Sequence, residues 1–417
     1  MADPREAVAR FEALFSPQGQ ELLGWLSQQG AALGIDAELR AGAELRARYP
    51  ADLVVDALAQ HELRLRAQPK FGRAGDMFFT RAGLEQASSE LVARHRAHRY
   101  ADAARVADLC CGIGGDAISL ARGHRVLAVD RDALHMRMAR ANAEVYGVAG
   151  NLDEAEADVR DVDLTGVQAV FIDPARRTPR RRLRAGDSEP PLGWCLGLAE
   201  RVDRVGIKAA PGLPREAAPQ GWELEFVAVG RDLKEAVVWS PAQATASRRA
   251  TILPEGYTLA RAQDGRVKVA AAEVRTAGVG AVQVRPPGEF LFDPNPAVTR
   301  AGLVQELALM IGAWQIDEQI AFLCTDVVTH TPFARVLRVI DSAPWDQKRL
   351  PARLRALDIG AVDIRRRGLA GDVDQLHRQL RLSGSRRATL VMTRVSDRPW
   401  GLVCLDIDQP GDAAPPR

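Results

Sequence analysis

Cysteine is scarce in this chain: five residues, Cys110, Cys111, Cys195, Cys324 and Cys404, occur in 417 positions. Their number is odd and no CxxC spacing appears, which excludes a disulfide framework and a cysteine zinc site. The seven histidines, His61, His95, His98, His124, His135, His330 and His377, show no metal-ligand spacing either, so no metal is expected. No run of about 18 apolar residues occurs, which excludes a membrane-spanning helix by the usual length criterion. The opening, MADPREAVARF, carries acids and no apolar core, so a secretion signal is not expected. These absences together predict a cytoplasmic protein whose thiols stay reduced. Lysine is nearly missing: only five of the 56 basic residues are lysines (Lys70, Lys208, Lys234, Lys268, Lys348), so 51 are arginines. Arginine clusters therefore stand against a rich background, and the net charge of +2 is close to neutral.

What is present is a large apolar fraction, 47%, in a chain long enough for about two or three domains. Residues 1–100 show helical spacing in AVARFEALF and LVVDALAQHELRLR. From Val106 the pattern changes to short apolar strands separated by helix-length segments: RVADLCC, RVLAVD, AVFIDP, RVGIKAA, LEFVAVG and EAVVWS. Such alternation predicts a parallel sheet with helices on both faces. Only RDLKE separates the last two strands, which predicts an antiparallel hairpin at the sheet edge. Residues 246–293 read as a β-rich connector. Residues 294–408 carry their own strands and helices, with AVTRAGLVQELALMIG as one helix and ATLVMTRV with WGLVCLDI as a closing hairpin. The Pro-rich stretch 409–417 is expected to be disordered.

The clearest motif is Asp108-Leu-Cys-Cys-Gly112-Ile-Gly114-Gly115-Asp116, which closes one strand and opens a helix. Glycines at such a turn let backbone amides approach a ligand. Gly112, Gly114 and Ala117 also satisfy the formal GxGxxA dinucleotide pattern, which keeps an NAD-dependent dehydrogenase open. Asp130 ends the next strand, where a carboxylate can accept ribose hydroxyls. Asp158 follows the third strand, in reach of an adenine amino group, and Asp173-Pro174 ends the fourth. Four acids at successive strand ends line one rim, where open α/β sheets bind their ligands.

DLCCGIGGD, RVLAVDRD, ARANAEVYGV and EADVRD resemble the class I S-adenosylmethionine-dependent methyltransferases, most closely their trimethylguanosine-synthase-like branch. The likeness covers roughly residues 78–240. The whole layout is similar to bacterial methyltransferases that end in a THUMP-like domain. The fold implied is α/β: a Rossmann-like methyltransferase sheet over 101–245, preceded by a helical N-terminal region and followed by a smaller C-terminal α/β domain. By the resemblance, Asp108 and Gly112, Gly114, Gly115 and Asp116 hold the methionine moiety, Asp130 the ribose and Asp158 the adenine. Asp173 and Pro174 face the methyl group, and Met77-Phe78-Phe79-Thr80 folds over the cofactor. S-adenosylmethionine is the cofactor implied, and RNA the substrate.

The chain departs from the branch at one place. Methyltransferases of exocyclic amino groups carry an aromatic as the fourth residue after the fourth strand, to stack on the target base; here the tetrad is Asp173-Pro174-Ala175-Arg176. A cysteine nucleophile would have to be Cys195, whose setting, Gly-Trp-Cys-Leu-Gly, reads more readily as packing. Six arginines fall in the nine residues from Arg176 to Arg184; of these Arg176, Arg177, Arg180, Arg181 and Arg182 are candidate RNA contacts, and Arg365-Arg366-Arg367 forms a second cluster. An RNA-binding module that keeps the fold without catalysis remains the alternative in another class. Oligomeric state leaves no mark in the sequence.

Overall fold

The structure, a computed structural model, describes residues 4–29, 45–175, 188–270 and 282–407, and the backbone of 177–178 and 181–182. The tail 409–417 lies outside the described residues. The chain forms two compact units, Met1–Glu223 with Glu235–Ala244, and Leu224–Lys234 with Thr245–Arg417.

The first unit begins with three helices, α1 (Pro4–Ala13), α2 (Pro17–Gln29) and α3 (Ala51–Ala67). In α3, Asp52 in the first turn and Arg64 and Arg66 in the last complement the helix dipole. Phe11, Leu22, Leu26, Val54 and Ala57 are buried in one core with Met138 and Ala139, so the helices are part of the unit's hydrophobic interior. Two short helices follow, α4 (Arg81–Gln86) and α5 (Glu90–Ala97). The alternating segment is β1 (Arg105–Leu109), α6 (Gly115–Ala121), β2 (Arg125–Asp130), α7 (Ala133–Val145), β3 (Leu152–Glu156) and β4 (Ala169–Ile172). Next come two-residue strands β5 (Arg177–Thr178) and β6 (Arg181–Arg182), then α8 (Leu192–Gly197), β7 (Arg204–Ala209), β8 (Glu223–Val229) and β9 (Asp232–Trp239).

Within this unit the strand order is β3-β2-β1-β4-β7-β9, parallel except for β9. Val106 to Leu109 and Ala169 to Ile172 are buried at every position, the continuous apolar run that a sheet covered on both faces requires. The register sets Leu109 beside Ile172, and Ile172 beside Ile207. The residues that follow those positions, Cys110, Asp173 and Lys208, therefore emerge at neighbouring points of one rim.

In the second unit, β10 (Arg248–Leu253), β11 (Tyr257–Arg261) and β12 (Val267–Ala270) extend from β8 in the order β12-β11-β10-β8. The β8 segment is consequently not an edge strand, because β10 pairs with it in parallel from Leu224 to Val229. The remaining elements are β13 (Phe290–Pro294), α9 (Pro296–Ala301), α10 (Val304–Ile311), β14 (Trp314–Gln315), β15 (Leu323–Thr325) and β16 (Ala334–Pro344). They are followed by α11 (Leu350–Ala356), β17 (Ile359–Arg366), α12 (Val373–Gln379), β18 (Arg386–Val395) and β19 (Arg398–Asp406). The single helix expected over AVTRAGLVQELALMIG is two, because Gly302 adopts φ 73° and its amide closes on Val298 and Thr299. The seven-stranded sheet runs β14-β15-β13-β16-β19-β18-β17, and β18 and β19 form the expected closing hairpin. Alternate residues serve opposite faces: Leu402 and Cys404 pack with Ile316 and Leu337, while Val403 packs with Leu350, Leu354 and Leu376. No helix among the described residues is long and apolar enough to cross a membrane.

Candidate functional site

The glycine motif forms a tight turn after β1 in which Cys110, Gly112 and Gly114 have φ 61°, 53° and 85°. At Gly112 it is the backbone angle that calls for glycine, since a Cβ there would meet nothing within 4 Å; the space above the turn is open. Asp130, at the end of β2, fastens the turn from the neighbouring strand. Its Oδ2 accepts from the Gly112 amide at 2.9 Å and its Oδ1 from the Asp132 amide at 3.0 Å.

Asp108 is 1% exposed, and its Oδ2 has no hydrogen-bond partner among the described residues. Burial, reinforced by the nearby carboxylates of Asp116 and Asp173, pushes its carboxyl well above the usual range. Asp116 is engaged by Arg96. Its Oδ1 accepts from Arg96 Nε at 3.0 Å, and the other arm of Arg96 reaches Glu235, all three groups being buried. The guanidinium also lies 4.9 Å from the centroid of the Phe171 ring. Burial opposes the charge on Arg96, yet the two carboxylates outweigh it and hold the guanidinium firmly protonated.

Asp173 follows β4 directly, and its amide donates to Leu109 O at 3.2 Å. Its Oδ2 accepts from Lys208 Nζ at 2.5 Å; the same ammonium donates to Ser88 Oγ at 3.0 Å, and Lys208 is only 7% exposed. No hydrogen bond from a described residue reaches Asp173 Oδ1. Pro174 then fixes the turn, and Ala175 pairs with Glu189 through two backbone hydrogen bonds of 2.9 Å. Asp158 lies two residues beyond β3. The Arg160 amide, at 3.0 Å, and then the Arg160 guanidinium hold its carboxyl below the usual range.

The segment from Met77 to Thr80 is tied down at every residue. Arg64 Nε donates to Met77 O at 2.8 Å, and Gln60 exchanges two hydrogen bonds with the Phe79 backbone, at 2.7 and 3.0 Å. Asn142 accepts from the Phe78 amide at 2.8 Å and donates to Phe78 O and Ile113 O at 3.0 Å each, so one buried side chain joins this segment to the glycine turn. Burial brings the Arg64 pKa down to about 10. Thr80 caps α4 by accepting from the Gly83 amide at 2.9 Å, and its hydroxyl lies 3.0 Å from His135 Nε2. Beside it opens a cavity of about 290 Å³ whose lining mixes apolar residues such as Phe11, Phe79 and Met138 with the charged Glu6, Arg10 and Asp56.

The structure brings Asp108, Gly112, Gly114, Asp130, Asp158, Asp173 and Thr80 to the ends of β1 to β4 and the segment above them, and it turns Asp116 into a buried ion pair. Cys195 is fully buried, and burial pushes its thiol up to about 12, so it offers no thiolate. Arg176 and Arg180 lie outside the described residues. Arg177, Arg181 and Arg182 are described by backbone alone, in the paired β5 and β6. In the second cluster, Arg367 is committed to Asp293 at 3.0 Å and stacks over Phe322 at 5.1 Å. No group of histidine, cysteine and acidic side chains among the described residues could hold a metal. Lys208, Ser88, Arg96 and Asn142 were not singled out by sequence. Lys208 carried one usable signal: a lysine at a strand end, in a chain that otherwise builds its cations from arginine.

Residues 103–193 match the family model described as RNA cap guanine-N2 methyltransferase, and residues 334–405 match that of the THUMP domain-like family. Residues 7–67 match a domain of unknown function. Two curated relatives, uncharacterized S-adenosylmethionine-dependent methyltransferases from two strains of Mycobacterium tuberculosis, are each 37% identical over 346 residues, which is 80% of this chain and 90% of theirs. The chain belongs to the S-adenosylmethionine-dependent methyltransferases. The methyltransferase thus uses S-adenosylmethionine as its donor, and the dehydrogenase reading of Gly112, Gly114 and Ala117 is set aside. A crystal structure assigned as a methyltransferase from Porphyromonas gingivalis superposes with a TM-score of 0.73 at 17% identity, covering 98% of this chain and all of the other, which shows a common fold. The open space at Gly112 and the unpartnered oxygen of Asp108 suit the donor: one gives room above backbone amides, the other a polar group awaiting a partner.

Proposed function

We propose that this methyltransferase acts on RNA, in the cytoplasm, with its donor lying along the ends of β1 to β4. The observation that carries the reading of the site is the row of four acids, Asp108, Asp130, Asp158 and Asp173, one at or just beyond the end of each of four adjacent parallel strands. Asp108 and the turn from Gly112 to Gly115 hold the methionine moiety, and Asp116 supports that turn from behind through Arg96. Asp130 takes the ribose and Asp158 the adenine, while the segment ending at Thr80 covers the donor. S-adenosylmethionine, when bound, supplies an electrophilic methyl on a sulfonium; Asp173 and Pro174 align the acceptor with it. An RNA substrate is favoured by the two family likenesses, RNA cap guanine-N2 methyltransferase and THUMP domain-like, and by the arginines that follow Asp173. The deciding experiment is incubation with labelled donor and total RNA from a strain lacking the protein, followed by nucleoside analysis; label in no RNA fraction overturns the reading.

Two further expectations test its parts. S-adenosylhomocysteine at a hundredfold excess over its Kd should add about 2.7 kcal/mol of stability and raise the Tm. Asp130→Ala should erase most of that rise, because it removes both the ribose acceptor and the clasp on the Gly112 amide; a variant stabilised as well as wild type moves the ribose elsewhere. If the arginine run contacts phosphates, replacing Arg180, Arg181 and Arg182 by serine should flatten the salt dependence of RNA binding by up to about two or three units, at roughly 0.7 to 0.9 per contact. An unchanged slope would reduce the run to the chain's general arginine richness.

A further inference from the structure

We infer that Lys208 is the proton acceptor of this methyl transfer and that the acceptor atom is a ribose 2′-hydroxyl oxygen rather than a base nitrogen. The inference rests on the RNA methyl transfer proposed above and names its target. Lys208 stands at the rim, one strand from Asp173, because the register places Ile172 beside Ile207. Two of its donor directions are committed, to Asp173 Oδ2 at 2.5 Å and to Ser88 Oγ at 3.0 Å. An ammonium has three N–H groups and a neutral amine two. The neutral form of Lys208 therefore keeps both partners and is left with a lone pair fixed in the third direction, which is the geometry of a base. Ser88 and Asp173 are thus positioning residues that aim it. An arginine could hold the same two partners but stays protonated, and this chain, with 51 arginines among 56 basic residues, keeps a lysine here.

The chemistry of the acceptor follows. A hydroxyl is a poor nucleophile until its proton is removed, so its methylation needs a base at the point of transfer. A base amine needs none, since its N-methylated cation is acidic and sheds the proton to water after transfer. It needs an aromatic platform instead, and the fourth residue of the tetrad, the aromatic one in enzymes of that kind, is Arg176 in this sequence. In the step, the hydroxyl proton passes to the Lys208 Nζ lone pair as the oxygen bonds to the methyl carbon. The carbon–sulfur bond breaks with its electron pair going to sulfur, leaving neutral S-adenosylhomocysteine, a methyl ether and a lysine ammonium that later returns its proton to solvent.

The test uses the full chain, total RNA and two variants, Lys208→Met and Lys208→Arg. Both should retain the rise in Tm with S-adenosylhomocysteine, which certifies folding and donor binding, and both should lose transfer by at least about a hundredfold. Wild-type single-turnover rate should climb tenfold per pH unit and then level off; the variants' residual rate should be flat. Because the chain has five lysines, carbon-13 NMR of the lysine Cε atoms resolves Lys208 by its absence in Lys208→Met, and its signal should titrate where the rate levels off. Label should appear as dinucleotides resistant to alkaline hydrolysis, the signature of a blocked 2′-hydroxyl. Substantial activity in Lys208→Arg, or a Lys208 signal that does not follow the rate, removes Lys208 as the base. Label in base-modified nucleosides refutes the ribose acceptor while leaving RNA methylation standing, and label in no RNA overturns both readings together.

Discussion

Asp173→Ala should fold, bind S-adenosylhomocysteine with near wild-type affinity, and lose methyl transfer by roughly a hundredfold or more. The expectation comes from where the carboxylate is spent. One oxygen holds Lys208 and the other takes no hydrogen bond from a described residue, so nothing in the hydrogen-bond pattern commits this side chain to the donor. In the role proposed for it, its interactions belong to the acceptor and to the transition state, and losing them should lower kcat without weakening the ground-state donor complex. The fold should tolerate the change: the Asp173 amide still donates to Leu109 O, Pro174 still fixes the turn, and the carboxylate is 23% exposed. Calorimetric titration beside a transfer assay decides the matter. Full activity would reduce Asp173 to a turn former, and lost binding would assign it to the donor site.

Arg96→Met should be the most damaging single change to stability, by about 3–5 kcal/mol. Arg96 lies between Asp116 and Glu235, and the side chains of all three are at most 10% exposed. Removing the cation leaves two buried carboxylates with no compensating charge, which costs far more than the net worth of the ion pairs. The thermal midpoint of the first unit should fall by roughly 6 to 20 °C at about 2 to 4 °C per kcal/mol. The mechanism predicts its own rescue: Arg96→Met combined with Asp116→Asn and Glu235→Gln should recover much of the loss, since the uncompensated charges disappear with their partner. A single variant as stable as wild type would mean that water or protons already screen the two acids.

The catalytic unit's strands were legible because a parallel sheet covered on both faces writes its strands as apolar runs, and its ligand side is announced by what ends them. The placement of Asp108, Asp130, Asp158 and Asp173 at or just beyond successive strand ends could be read by that rule alone. Lys208 could not, since its meaning depends on β4 and β7 lying side by side with Ile172 against Ile207, a pairing between segments 35 residues apart. Arg96 was hidden differently: in so arginine-rich a chain one more guanidinium on a helix carries no information, and only its burial against Asp116 and Glu235 gives it any. Asn142 looked like any polar helix residue until its amide proved to bridge Phe78 and Ile113. The parallel pairing of β10 with β8 was equally invisible, because the stretch carrying β10 is punctuated by proline and glycine like a connector. The break at Gly302, by contrast, was readable from a glycine inside a helical pattern.

The discontinuity of the first unit bears on how the protein is made. The chain leaves this unit after Glu223 and re-enters it at Glu235, and the returning piece carries both Glu235 and the fully buried Trp239. Arg96 emerges from the ribosome 139 residues ahead of Glu235, an interval of about 7 to 28 s at ordinary rates of synthesis. Until Glu235 follows, Asp116 is the only one of its two buried counter-charges that the chain contains, and β7, once made, lacks the antiparallel neighbour that closes its flank. A fragment ending at Glu223 therefore lacks both the second buried partner of Arg96 and the strand that closes the flank of β7.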